Sequence, residues 1–308
     1  MITRNIYRSL LPVIISILLV SSCKQNPAHS HQDIDSLSIP IPELSLQVEF
    51  LDGQLMENSG LILYRGYLWT MNDGGGDPVL YAFHPRTGTV VQSILVNQAK
   101  NRDWEDLAQD KDHIYIGDFG NNSGRRIELH IYIVNKKDIP VGQDYEVPAE
   151  LIRFEYGERK DKSGRLYRSP FDCEAFFAWN DSLYIFTKDW SDETTTMYVL
   201  PSQPGYYTVY SRDIFPADGL ITGADISRNG KMVVLTGYKD YIPFTWIFYD
   251  YQFPHIFDGK KARLDFWDYV DLQTEGVAIL NPQVVFISSE MSVFPQQLYR
   301  LDVSDIIE

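Results

Sequence analysis

The chain has 308 residues, enough for one large β domain or two ordinary ones. Its 42 Asp and Glu against 27 Lys and Arg set a formal net charge of −15, and no Lys/Arg stripe interleaved with aromatics interrupts that excess. Such a surface repels phosphate backbones, which excludes nucleic acid as a partner and favours cations or ligands with basic groups.

Residues 1–22 read as a targeting segment. Arg4 and Arg8 form a basic n-region, and residues 10–20 are an apolar run too short to cross a bilayer as a helix. The following Val20-Ser21-Ser22-Cys23 resembles the lipobox of bacterial lipoproteins. That resemblance implies cleavage before Cys23 and acylation of Cys23. The mature protein would then be lipid-anchored in a bacterial cell envelope, at the outer membrane on its periplasmic or surface side. Ordinary signal cleavage would instead leave Cys23 a free thiol. Residues 23–43 are polar, with Pro, Ser and His but no apolar period, and read as a flexible tether. Cys173 then has no intramolecular partner, so the core must supply the stability, with Cys173 as a small hydrophobe inside it.

From residue 44 to 308 the pattern is one of short apolar or alternating runs ended by Gly, Asn, Asp or Pro, which is the strand-and-turn signature. Aromatics at 14%, led by 20 Tyr and 16 Phe, suit pleated, half-buried surfaces. Residues 46–50 alternate but have no local partner. Four openings then recur: Glu57-Asn58-Ser59-Gly60, Glu105-Asp106-Leu107, Glu174-Ala175-Phe176 and Glu275-Gly276-Val277, with Ala224-Asp225-Ile226 as a fifth whose acid is one place along. Each opening is followed by a companion segment, and four of these end on a carboxylate: Asp73, Asp118, Asp189 and Glu290. The spacing suits two strands joined by a tight turn and is too short for a helical crossover. Further strands are expected at 79–84 and 89–96, at 129–134 and 150–154, at 196–200 and 206–210, at 244–249 and 261–267, and at 297–301. Four-stranded units repeating at about fifty residues predict an all-β chain folded as one β-propeller. Five blades are expected, the orphan strand near residue 46 completing the last one. Six remain open, because the interval from Glu105 to Glu174 is long; the alternative for that excess is a polar insertion over 156–170.

In a propeller the first strand of each blade lines the axis and the second returns beside it. That geometry gathers Glu57, Glu105, Glu174, Asp225 and Glu275 at one mouth, with Asp73, Asp118, Asp189 and Glu290 from the second strands and Asn58, Asn72, Asp106, Asn121, Asn122 and Asp172 nearby. So many carboxylates require raised pKa values or a counter-cation. Oxygen ligands from several segments, without imidazole or thiolate, point to Ca²⁺ rather than zinc or copper. The same acids can instead accept N–H groups of the neighbouring blade, or merely shape turns. Lys188 is the one cation of the ring pattern, placed to neutralise two glutamates or to act as a base. Arg125 and Arg126, after a glycine-rich loop, can grip an anionic part of a ligand or stand in solvent.

The acid-x-Ser-Gly opening at Glu57 resembles calcium-dependent propellers: the gluconolactonase and paraoxonase group, esterase-like phytases and YjiK-like periplasmic families. In the first of these a Glu on a first-blade strand, with Asn and Asp from other blades, holds a metal that polarises a carbonyl. The resemblance therefore implies Glu57 as a ligand, with Asp225 and Asn121 or Asn122 as candidates by type. That group has six blades and fewer axial acids. Trp104-Glu105-Asp106, Gly117-Asp118-Phe119-Gly120-Asn121-Asn122 and Thr222-Gly223-Ala224-Asp225 resemble uncharacterised propeller lipoproteins of Bacteroidetes-type bacteria more closely. Two functions follow as expectations. One is an anchored binding or scaffold module that holds a small molecule, peptide or glycan at the acidic face, with Trp190 and the loop at residues 238–241 as contacts. The other is a Ca²⁺-dependent hydrolase of an ester, lactone or phosphoester, with Glu105, Asp118 or Glu174 as base.

Overall fold

Strand-forming runs broken by turn residues fold here into hairpins, and the turn chemistry explains why. Arg65-Gly66, Asn180-Asp181 and Asp240-Tyr241 all take positive φ at both positions, the backbone that matches the twist of antiparallel strands joined by two residues. The computed structural model describes residues 42–159 and 166–307. Residues 1–41, on which the expectations of a targeting segment, a lipidated Cys23 and a tether fall, lie outside the described residues.

The first strand is β1 (Leu44–Val48). Blade one has β2 (Asn58–Tyr64), β3 (Tyr67–Asn72), β4 (Val79–Phe83) and β5 (Val90–Asn97), and blade two starts with β6 (Trp104–Gln109), β7 (His113–Asp118) and β8 (Leu129–Asn135). Next come β9 (Tyr145–Pro148) and β10 (Glu150–Tyr156), then β11 (Cys173–Trp179), β12 (Ser182–Thr187), β13 (Thr195–Pro201), β14 (Gly205–Val209) and β15 (Ser211–Phe215). Blade four is β16 (Leu220–Ile226), β17 (Met232–Lys239), β18 (Ile242–Tyr249) and β19 (Lys260–Asp265), and the last is β20 (Thr274–Asn281), β21 (Val284–Ser289) and β22 (Gln297–Asp302). These strands form five sheets. The inner strands touch in ring order β2, β6, β11, β16, β20 and back to β2, which is a five-bladed propeller. A sixth blade is absent among the described residues.

The orphan strand does what its lack of a partner predicts. β1 pairs antiparallel with β22, Leu44 opposite Leu301 and Leu46 opposite Tyr299, so the N-terminal strand completes the last blade. This covers an edge that would otherwise expose unpaired N–H and C=O groups.

One expected strand lies elsewhere. Residues 206–210 were expected to be the outer strand of blade three, but β14 runs parallel to β10 on blade two, and β15 takes the outer place in blade three. Likewise β9 leaves its own blade to run parallel to β5 on blade one. Of the two excursions, β9 falls within the long interval between Glu105 and Glu174, as does the 156–170 stretch expected as an insertion, whereas β14 lies beyond it. Both excursions bury apolar side chains on the neighbour: Val147 joins Ile94 and Val96, and Val209 joins Ile152 and Phe154.

The core is divided into five clusters, one at each blade interface. Trp69 and Trp104 lie between blades one and two, Phe176 and Tyr115 between two and three, Phe177 and Phe244 between three and four, Val234 and Ile287 between four and five, and Leu68 and Phe286 between five and one. Fully burying such a side chain stabilises by roughly 1.5–3 kcal/mol. Cys173 is fully buried in the interface between blades two and three, where burial pushes its thiol well above the ordinary range and keeps it unreactive.

Candidate functional site

The acids at the start of the inner strands are aimed by β-bulges. The ladder to the second strand slips by one residue at Glu105, Glu174, Thr222 and Glu275, the first residue pair before each slip being Trp104 with Asp118, Cys173 with Thr187, Ile221 with Gly237 and Thr274 with Ser289. A bulge re-aims its extra side chain. Three of these positions carry a glutamate, and Glu105, Glu174 and Glu275 are 4%, 2% and 8% exposed.

The other two blades depart from the expectation. In blade four the bulge position belongs to Thr222, whose hydroxyl donates to the carbonyl of Thr274 at 2.5 Å. In blade one Ser59 makes the matching bond to the Glu105 carbonyl. Asp225 stands three residues further along β16, where it accepts the N–H of Ile226 (2.8 Å) and of Ile279 across the blade boundary (2.7 Å). It lines the opposite mouth of the channel. Asp106 does the same work from β6, accepting N–H groups of Leu107 (2.8 Å), Phe176 (2.9 Å) and Ala224 (3.3 Å). Asp225 and Asp106 are thus ring staples. Glu57 precedes β2 and is exposed on the rim.

The strongest convergence is between blades one and two. Carboxylate oxygens of Asp73, Asp103 and Glu105 lie within 4.8 Å of one another. Asp103, in the loop before β6, is the member that reading the repeats misses; its signal was its place two residues before Glu105. Two glycine backbones roof the group. An added Cβ at Gly120 would fall 1.8 Å from Glu105 Oε1, and one at Gly74 would fall 2.7 Å from Asp103 Oδ1.

Burial is the largest influence on all three acids. It pushes Asp103 up to about 6, with the Asp73 carboxylate pushing the same way and Arg126 opposing. Burial raises Glu105 well above the ordinary range, and Glu174, Asp73 and Asp103 add to the effect. Asp73 rises for the same reason, although the Gly74 N–H and Lys188 pull it down. Glu275 and Glu290 also rise, Glu290 to about 7 through burial and the carboxylates of Asp73 and Glu57.

Lys188 is the cation among them. It is 5% exposed, and its Nζ donates to Glu174 Oε2 at 3.1 Å. Burial works to lower its pKa, but Glu174, Tyr238, Glu275 and Asp172 together hold it well above the ordinary range. It answers one glutamate directly and leaves Glu105 unpaired. Glu105 Oε1, Glu174 Oε1, Asn58 Oδ1 and Asn72 Oδ1 are buried oxygens that accept no hydrogen bond among the described residues.

The remaining expected residues hold the loops. Asp118 Oδ1 accepts from Arg126 Nη2 (3.0 Å) and from the Asp103 N–H (3.1 Å), while Arg126 Nη1 donates to the Gly120 carbonyl at 2.9 Å. Arg126 is therefore committed to the glycine-rich loop, and Arg125 is exposed beside it. Asn121 accepts the Arg126 N–H at 2.8 Å and donates its own N–H to Asp172 Oδ1 at 2.6 Å. Asn122 is half-buried, and its carbonyl accepts the Tyr167 N–H at 2.9 Å, which ties the described part of the insertion over this mouth. Asp189 caps a turn by accepting from Ser191 (2.9 Å) and Asp192 (3.3 Å). Trp190 is half-buried rather than free, its indole N–H donating to Asp172 Oδ2 at 2.9 Å.

Chemically, the Asp73, Asp103 and Glu105 group offers only hard oxygen, has an orphan buried acceptor and sits in a space that a single Cβ would fill. Those properties fit a divalent cation of the Ca²⁺ type.

No family model matches the chain. No curated protein matches it either. Solved structures similar to it include the PQQ-bound aldose sugar dehydrogenase of Streptomyces coelicolor, at 10% identity and TM-score 0.49, covering 85% of this chain and 98% of that one. A hypothetical protein of Leishmania major is 11% identical with TM-score 0.47, covering 84% and 90%. A candidate 6-phosphogluconolactonase of Bacteroides uniformis is 14% identical with TM-score 0.38, covering 77% and 66%. Likeness at these values carries no argument about activity.

Proposed function

We propose that this protein is an envelope-anchored propeller lipoprotein whose acidic axial mouth binds Ca²⁺ and serves as a binding or scaffold module for a small molecule, peptide or glycan. The observation that carries the reading is the buried, unpaired Oε1 of Glu105 within reach of Asp73 and Asp103. Those three residues would hold the ion. When bound, the ion supplies positive charge and a polarising centre at the mouth. The chain's own residues do the rest: Arg126 and Asn121 fix the loop that roofs the site, and Lys188 balances Glu174. Anchoring rests on the resemblance of Val20-Ser21-Ser22-Cys23 to a lipobox and would keep the propeller at the membrane surface.

The test uses soluble protein beginning after Cys23. Metal analysis and a melting curve with and without Ca²⁺ are expected to show bound calcium and a rise in melting temperature. Free ligand at about 100 times its Kd stabilises by about 2.7 kcal/mol. Glu105→Gln and Asp103→Asn are each expected to remove that rise while the protein still folds. A Ca²⁺ response that survives both substitutions sinks the assignment. Calcium-dependent turnover of an ester, lactone or phosphoester would convert the module into a hydrolase, with Glu105 or Glu174 as the base to test.

A further inference from the structure

The second mouth of the channel differs from the first in charge and in shape. Where the inner strands end, side chains from Leu63 to Ile279 enclose a cavity of about 530 Å³, and the glutamates of the acidic mouth take no part in it. Four cationic side chains line it, Arg65, Lys111, Lys136 and Arg228, against two carboxylates, Asp110 and Asp225. In a chain with this excess of acid, that local balance is the reverse of the whole.

Both carboxylates are already engaged. Asp225 accepts the N–H groups of Ile226 and Ile279. Asp110 accepts N–H groups of Asp112 (2.7 Å) and His113 (2.6 Å) and the Tyr115 hydroxyl (2.6 Å). Of the cations, Lys111 faces the Asp112 carboxylate at 3.9 Å, and the others are not matched by a carboxylate in that way. Arg228 is exposed and makes no ion pair or side-chain hydrogen bond among the described residues. Lys136 is 9% exposed, yet its Nζ donates to neutral oxygens, Gln109 Oε1 at 2.8 Å and the Asp110 carbonyl at 2.6 Å. The Nζ lies 4.7 Å from the centre of the Tyr64 ring, and the Arg65 guanidinium lies 4.8 Å from the same ring. Burial pushes the Lys136 ammonium down to about 8, with Asp110 opposing and Arg228 pushing the same way. An ammonium held charged against those influences gains from an arriving anion. Trp179, half-buried, supplies an aromatic wall, and Ala178 and Ile226 supply apolar surface.

We propose that this mouth binds a small organic anion, its carboxylate or phosphate head on Arg228 and Lys136 and its planar or apolar body against Trp179. The cavity volume is that of a small-molecule site, apolar walls with a few convergent charges. A guanidinium matches either head in bidentate fashion. The site is independent of the cation at the other mouth.

Calorimetric titration with benzoate and with phenyl phosphate, against benzamide as the neutral counterpart, tests it. At least one of the two anions is expected to bind tenfold or more above benzamide, by about the step that one charged contact supplies, and to weaken as salt rises. Arg228→Gln, on an exposed turn, is expected to weaken that anion by about tenfold and leave benzamide unchanged. Trp179→Leu is expected to weaken all three probes, and chelation of calcium to alter none. Equal affinity for benzamide and both anions overturns the proposal. So does failure of both anions to bind, or anion binding that survives Arg228→Gln and Lys136→Gln in protein whose melting curve is intact.

Discussion

Glu105 and Asp106 are adjacent, both carboxylates, both buried, and they do different work. Asp106 is a staple: its two oxygens accept three N–H groups from blades two, three and four. Removing it strands buried donors, each worth roughly 1–3 kcal/mol when left unmade. Asp106→Ala is therefore expected to lower stability by about 3 kcal/mol or more, read as an earlier urea midpoint at unchanged slope; a loss under about 1 kcal/mol would show that the staple is dispensable. Glu105, on the bulge, has an oxygen with no donor. Gly120 completes the contrast, since a methyl group there would fall 1.8 Å from that oxygen. Gly120→Ala is expected to abolish the Ca²⁺ response and to cost about 1–3 kcal/mol through overpacking. An unchanged calcium shift in this variant would place the ion elsewhere.

At the scale of an element, β1 closes the ring from a distance of more than two hundred residues in sequence. Leu44 and Val48 are 1% and 7% exposed against β22 and its neighbours. Losing both removes roughly 3–6 kcal/mol of burial and uncovers an edge strand. Against a total stability of about 5–15 kcal/mol, a chain starting at residue 49 is expected to melt much earlier and to associate, as seen by calorimetry and size-exclusion chromatography. A monomer that melts within about 3 °C of the full domain would contradict this. The strands that cross between blades, β9 and β14, were not legible as such. Their residues alternate like any outer strand, and the local pattern records that one face is buried without recording which neighbour buries it.

For the whole molecule, the acidic mouth sets a pH dependence. Asp103 and Glu290 sit at about 6 and about 7 in the fold, raised chiefly by burial, while an unfolded chain has carboxylates near 4. A raised acid means that the native state binds more protons than the unfolded one between those values, so stability falls as pH rises through that window. The calcium-free protein is expected to lose melting temperature from about pH 4 to about pH 7. Added Ca²⁺ should flatten the profile, because the ion needs the ionised carboxylates that destabilise the empty mouth. A calcium-free midpoint that climbs over that range would show that the cluster does not dominate the titration.

Propeller architecture, blade number and ring closure were legible because they depend on period-two patterning, turn residues and the count of strands, all of which are local or additive along the chain. Gathering of acids at one mouth was legible for Glu105, Glu174 and Glu275, which share a strand position. Bulge register could not be read: in blade four the bulge falls on Thr222, three residues before the expected Asp225, and Glu57 precedes β2 and stays on the rim. Nor could the pairing of Asp103 with Asp73 and Glu105, which belong to separate blades and meet only because two glycine backbones let the chain pass close. Which carboxylates are stapled to N–H groups, and which are left with an empty lone pair, is a property of packing across blade boundaries, where residues far apart in the chain compete for the same donors.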